Sequence, residues 1–299
     1  MFEGFSQFSI DTGETTICGV TGGAGPPLLL IHGYPQTHVM WHRVAPLLVN
    51  DFTLVAADLR GYGDSGKPAS VSDHSSYSKR AMAADMVDVM QDLGHEKFFL
   101  AGHDRGGRVA HRLAIDHGER IAGLCVLDIA PTREMYANTD DAFARAYWHW
   151  FFLIQPSPFP EGLINADSDG YLKYKMNLGF GGLNAFDQNA LDEYLRCYRN
   201  PETVRASCED YRAAAGIDIK HDDEDGKFKL TCPLHVLWGE HGIINRCFDA
   251  EALWNQRAES VTVAELPCGH YLAEELPEET ARHMKTFFLS LDASGLVCS

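Results

Sequence analysis

Residues 101–108 read Ala101-Gly102-His103-Asp104-Arg105-Gly106-Gly107-Arg108. They lie between the run Lys97-Phe98-Phe99-Leu100 and the helical pattern Val109-Ala110-His111-Arg112-Leu113-Ala114. A strand that turns sharply into a helix through glycines is a nucleophile elbow, whose usual form is G-x-S-x-G. Here the frame is Gly102-His103-Asp104-Arg105-Gly106, so an aspartate stands at the nucleophile position. A carboxylate there moves the chemistry from acyl transfer towards displacement at a saturated carbon. An aspartate at a strand–helix turn also serves as an ordinary helix N-cap. The glycine spacing and the partners described below favour catalysis.

Outward from the elbow, short apolar runs alternate with longer helical patterns. Pro27–Ile31, Thr53–Ala57, Phe98–Ala101, Leu124–Leu127 and Leu234–Trp238 read as buried parallel strands. Helical patterns fall near 37–49, 79–93, 106–117 and 277–290. This alternation predicts an α/β sheet covered by helices on both faces. The first twenty residues read as an antiparallel edge hairpin turning at Asp11-Thr12-Gly13-Glu14. The alternation stops between about 135 and 222, where aromatic residues and helix formers dominate. Residues 135–222 are therefore expected to form a helical cap. The core would come from 1–134 and 223–299, with the cap over the carboxyl edge of the sheet, where ligands bind in such folds. The charged run Lys220-His221-Asp222-Asp223-Glu224-Asp225-Gly226 reads as a solvated loop.

Composition bounds the partners. The chain has 299 residues, 45% of them hydrophobic, enough for one large core with an insert. A formal net charge of −17 argues against nucleic acid and against anionic membranes. A small anionic substrate stays compatible, because a local pair of arginines overrides the global field. Eight cysteines, at 18, 125, 197, 208, 232, 247, 268 and 298, form no C-x-x-C pair and read as reduced thiols. The N-terminus shows no signal peptide, and no apolar run reaches membrane-spanning length. A soluble cytoplasmic protein is expected.

Attack by a carboxylate leaves an alkyl–aspartyl ester, whose hydrolysis needs a base to activate water. Of fourteen histidines, His270 follows the strand-like Val261–Leu266 and precedes the last helix, where the base falls in this chain order. Its orienting acid is expected at Asp128, in Leu127-Asp128-Ile129-Ala130-Pro131, with Glu240 the weaker candidate. Glycine stands at 242, where an aspartate would often be found. Backbone amides of Tyr34, in His32-Gly33-Tyr34-Pro35, and of Arg105 are the expected oxyanion donors. Arg105 and Arg108, three apart on a helix, read as a clamp for a substrate carboxylate rather than as surface charges. The aromatic run Tyr147–Phe152 and the segment Glu209-Asp210-Tyr211-Arg212 have two readings: core packing, or donors to a departing halide from His149, Trp150 and Tyr211.

Taken together, Gly102–Arg108, Leu127–Thr132, His149-Trp150, Cys208–Arg212 and Trp238-Gly239-Glu240 resemble the fluoroacetate (haloacetate) dehalogenases of the α/β-hydrolase superfamily, over nearly the whole chain. The arginine after the aspartate is the specific element, since epoxide hydrolases typically carry tryptophan there. The resemblance implies an α/β-hydrolase fold, with a mostly parallel eight-stranded sheet and a helical cap. It implies nucleophile Asp104, acid Asp128 and base His270. Carboxylate contacts would be Arg105 and Arg108, and halide donors His149, Trp150 and Tyr211. No metal or organic cofactor is expected, and a homodimer is common among similar proteins. Two positions depart from the pattern. Tyr34 replaces a common phenylalanine, and no tryptophan stands near 179 in Met176–Gly182, whose three glycines predict a looser pocket wall.

The expected reaction is hydrolytic dehalogenation of short 2-haloacids to 2-hydroxy acids. An epoxide hydrolase would share Asp104 and His270, with Tyr147 and Tyr211 protonating the epoxide, but would leave the arginine pair without a purpose. A non-catalytic small-ligand receptor would not need the nucleophile, base and acid together.

Overall fold

The computed structural model describes residues 1–291; Cys298 lies outside them. Its eight strands are β1 (Ser6–Asp11), β2 (Thr16–Gly23), β3 (Pro27–Ile31), β4 (Thr53–Ala57), β5 (Phe98–His103), β6 (Ile121–Leu127), β7 (Leu234–Gly239) and β8 (Val261–Leu266). They form one sheet in the order β1-β2-β4-β3-β5-β6-β7-β8. The β1–β2 hairpin and the β2–β4 pair are antiparallel and all other pairs are parallel. All residues of β3 and β5 are buried, as continuous apolar runs covered on both faces require.

Strand order reverses at β3, which pairs with β4 on one side and β5 on the other. Such a switch point opens a crevice beyond the carboxyl ends of the strands. Ile31 pairs with Gly102 there, so the Gly33-Tyr34 turn and the elbow lie side by side. The helix Arg105–Asp116 starts directly on the sheet. A Cβ at Gly106 would stand 2.3 Å from the His32 carbonyl oxygen, and one at Gly102 would stand 2.4 Å from the Gly106 carbonyl oxygen. Only glycine at both positions allows this approach.

Two local expectations need correction. The helix expected over 37–49 divides into a 3-10 turn, His38–Trp41, and a short helix, Ala45–Leu48. Pro46 lacks an amide N–H and suits only the first turn of a helix, so a continuous helix is broken there. The charged run at 220–226 is largely helix, not loop: Ile217–Asp225 is helical. Arg112 bonds Asp222 at 2.7 Å and Asp225 at 2.6 Å, and Arg133 pairs with Asp223. These arginines offset the repulsion that a run of carboxylates alone would impose.

Between β6 and β7 the chain is helical, from Thr132–Ala137 to Ile217–Asp225, with no strand among the described residues. Its longest helix, Pro201–Ala214, is capped by Asn200 and opens on a proline. This insert packs on the core through Trp150, Tyr194 and Tyr211, each fully buried. The seven described cysteines are free. No helix among the described residues is long and apolar enough to cross a membrane, and no group of three or more His, Cys, Asp or Glu is placed to hold a metal.

Candidate active site

Asp104 sits between β5 and the following helix with φ 45° and ψ −114°. A non-glycine residue at positive φ is strained by roughly 1–3 kcal/mol, and such strain concentrates at functional sites. The turn projects a carboxylate that is buried at the crevice floor. Burial pushes its pKa up, but the electrostatic influence of His270, Arg108 and Arg105 outweighs this and holds it below the usual carboxylate value. Asp104 is therefore ionised at neutral pH. Its Oδ2 accepts the Tyr34 amide at 3.0 Å. The Arg105 amide opens the helix, where N–H groups have no intrahelical acceptor. Two backbone donors thus flank the carboxyl group.

His270 follows β8, and its Nδ1 lies 2.6 Å from Asp128 Oδ2. This contact leaves Nε2 as the nitrogen available to the cavity that His270 lines. Asp128 is strained too, with φ 49°, and its Oδ1 accepts the Gly239 amide at 3.1 Å. Glu240 is exposed, away from this pair. A Cβ at Gly242 would lie 3.0 Å from Asp128 Oδ1, so a side chain at 242 would press on Asp128. His103 braces the His270 loop: its Nε2 is 2.7 Å from the His270 carbonyl oxygen, and the rings lie 4.6 Å apart. Burial lowers the His103 pKa to about 3, so the brace stays neutral and donates.

The two arginines are held differently. Arg105 donates from Nε to Asp210 Oδ2 at 3.0 Å and from Nη2 to the Asp210 carbonyl at 2.8 Å. The same carboxylate accepts Tyr62 at 2.6 Å and pairs with Lys79. Arg105 therefore has a counter-ion in the resting fold, and only Nη1 is left without a partner. Arg108 donates from Nη1 to the Ala130 carbonyl at 3.1 Å and to Thr132 Oγ1 at 2.9 Å, with Nε unpartnered. Neutral acceptors hold it, so its charge is uncompensated by direct pairing.

The insert brings His149, Trp150 and Tyr211 to the same place. The Arg105 guanidinium lies 4.2 Å from the Tyr211 ring centre, and that of Arg108 lies 4.8 Å from Trp150. The His149 ring stacks on Tyr34 at 6.0 Å and meets Tyr211 at 5.8 Å. Burial drives the His149 pKa well down, so the ring is neutral. Its Nδ1 and the Tyr211 hydroxyl are buried without hydrogen-bond partners. Phe180 stacks on His241 at 4.1 Å and covers Gly269, while a Cβ at Gly179 would already touch the Tyr271 ring at 3.2 Å.

Four residues at this site escaped the sequence reading. Asp210, Lys79 and Tyr62 hold Arg105 in place, yet they lie on separate helices and loops with no shared motif. His103 was visible inside the elbow but unassigned. For Asp210, the usable signal was a carboxylate next to Tyr211 in a helix expected to be buried.

The α/β-hydrolase fold family matches residues 26–277. A fluoroacetate dehalogenase from Burkholderia sp. is 46% identical over 298 residues, covering 99% of this chain and 97% of that protein. A soluble epoxide hydrolase from Corynebacterium sp. is 33% identical, covering 91% of this chain and 93% of its own length. The crystal structure of a protein from Nostoc sp. PCC 7120, described as an α/β hydrolase, superposes with a TM-score of 0.95. It shares 56% identity and covers 96% of this chain and 99% of its own. The elbow, the His270–Asp128 pair and these similarities agree: the chain belongs to the α/β-hydrolase superfamily, among the relatives of fluoroacetate dehalogenase.

Proposed function

We propose that the protein hydrolyses the carbon–halogen bond of short 2-haloacids, with haloacetates, fluoroacetate among them, as the substrate class. One observation carries the reading. Arg105, Arg108, His149 and Tyr211, packed around the ionised Asp104, each keep a buried polar atom without a partner. Buried polar groups are nearly always satisfied, so a cluster of orphans implies a ligand with several acceptors. A carboxylate and a departing halide on adjacent carbons fit that demand.

In this reading, Arg105 Nη1 and Arg108 Nε hold the substrate carboxylate. An Asp104 oxygen attacks the α-carbon and expels halide, forming an ester. His149, Trp150 and Tyr211 donate to the leaving anion. His270 then removes a proton from water, which attacks the Asp104 carbonyl carbon, while Asp128 stabilises the imidazolium. The amides of Tyr34 and Arg105 receive the oxyanion. The 2-hydroxy acid leaves with its new hydroxyl oxygen drawn from Asp104, and Asp104 regains an oxygen from water. The helices over 135–222 act as the cap, in a soluble cytoplasmic enzyme that needs no cofactor.

The test is halide release from fluoro-, chloro- and bromoacetate by wild type and Asp104→Ala. A single turnover in heavy-oxygen water adds the mechanism: label is expected in Asp104, and label appearing first in glycolate would exclude the ester. The epoxide reading is favoured by the Corynebacterium relative and by the unpartnered Tyr211 hydroxyl. Turnover of styrene oxide without halide release would select it. Tight ligand binding with neither reaction would select a receptor.

A further inference from the structure

A cavity of about 470 Å³ leads to His270 from the surface. Its basic lining residues are Arg145, Lys175, His241, Arg246 and His270, and no carboxylate lines it among the described residues. This is unexpected on a chain of net charge −17. Arg145 pairs with Asp141 at 2.8 Å. Lys175 and Arg246 have no side-chain hydrogen bond or ion pair among the described residues. Arg246 is exposed, whereas Lys175 is buried. A buried ammonium without a bonded partner is costly unless an anion visits it. We propose that Lys175, with Arg246 outside it, forms an outer binding station for small carboxylate anions on the way to Asp104. The station rests on the dehalogenase reading only in taking the substrate to be an anion.

A cleft lined by one sign of charge with low-dielectric walls raises the local concentration of the opposite ion. Tyr147, Tyr174 and Tyr271 supply such walls here. Burial lowers the Lys175 pKa to about 8, against the pull of Asp104. Lys175 is therefore charged at pH 7 and loses its charge as pH rises through about 8. Other groups face Lys175. Asp104 is ionised throughout this range, Tyr147 and Tyr271 are pushed well above 10, and His149 is held well below 6.5. His241 and His270 share the cavity, and Glu274, pushed up by burial to about 8, stands near Tyr271. These groups are common to wild type and Lys175→Met, so the difference between the two proteins isolates Lys175.

The test is calorimetric binding of acetate, an inert carboxylate, at low ionic strength. Lys175→Met is expected to weaken acetate about fivefold or more at pH 7, and Arg246→Gln by less, with both losses shrinking at high salt. Raising the pH from 7 to 9 is expected to weaken wild type by more than Lys175→Met, so that the two affinities draw together. With chloroacetate as substrate, KM should carry most of the loss in Lys175→Met. Unchanged acetate affinity and KM in Lys175→Met would overturn the station even if halide is released normally. Loss of acetate binding in Lys175→Met without halide release from any haloacetate would support the station and sink the dehalogenase reading.

Discussion

The sheet edge and the helical insert meet at one cavity but are built by different means. On the sheet side, position comes from backbone. Asp104 and Asp128 sit at φ 45° and 49°, and the amides of Tyr34 and Gly239 bond their carboxylates directly. On the insert side, position comes from ring packing. His149, Trp150 and Tyr211 are fixed by stacking against Tyr34, Tyr147 and one another, and two of their polar atoms bond nothing. In the proposed reaction the covalent chemistry tolerates little misplacement, which suits groups that stand on rigid turns. Donors to a ligand must stay unspent, and aromatic packing holds them without consuming their hydrogen bonds. The difference teaches where reaction type and substrate choice are encoded.

Changes on the sheet side should therefore abolish turnover, and the largest effect is expected at the elbow. Asp104→Ala should reduce halide release by roughly 10⁴-fold or more, to background. Residual turnover near wild type would remove the nucleophile assignment. His270→Gln comes next, with a loss of roughly 10²–10⁴-fold and a distinct signature. One equivalent of halide should appear per site, and intact mass should show the ester. A full loss of that first equivalent would mean that His270 acts before ester hydrolysis.

Asp210 sharpens the comparison, because it comes from the insert yet holds a sheet-side residue. It is fully buried between Arg105, Lys79 and Tyr62. Asp210→Ala leaves the buried Arg105 without its counter-ion and Lys79 with only Asp218, 3.8 Å away, which costs about 3–5 kcal/mol. Thermal unfolding should fall accordingly, and KM for haloacetate should rise as Arg105 loses its orientation. Stability within about 1 kcal/mol of wild type would show that the cluster does not anchor the insert.

What could be read from the chain follows the same divide. The elbow, the His270 loop and Asp128 were legible because each is a local pattern at a strand end, and strand ends follow from apolar runs. The Arg105–Asp210 contact joins residues 105 apart in sequence, and no periodicity marks it. Lys175 resembles any helix-surface lysine until folding encloses it. The acidic run at 220–225 read as loop because its counter-charges, Arg112 and Arg133, lie on distant segments. Pairings across the fold decide these cases, and a linear pattern does not contain them.

The smallest expected effect concerns a second seam between core and insert. Glu274, in the short helix Leu272–Glu275, accepts Tyr194 of the insert at 2.5 Å and Gln36 of the core at 3.2 Å. Burial pushes its pKa up to about 8, against the Tyr194 hydrogen bond and Arg43, which pull it down. The folded state thus holds this proton more tightly than the unfolded chain does. Its contribution to stability is full below the ordinary carboxyl pKa of 4.5 and is lost as pH rises through about 8. Stability therefore falls as pH rises between the two. Glutamine keeps the acceptor for Tyr194 and never ionises, so Glu274→Gln should remove that slope. The variant should be more stable relative to wild type at pH 8 than at pH 5 by denaturant unfolding. Parallel pH profiles for the two proteins would place the proton elsewhere, and the seam would then rest on ring packing, as at the insert face of the catalytic cavity.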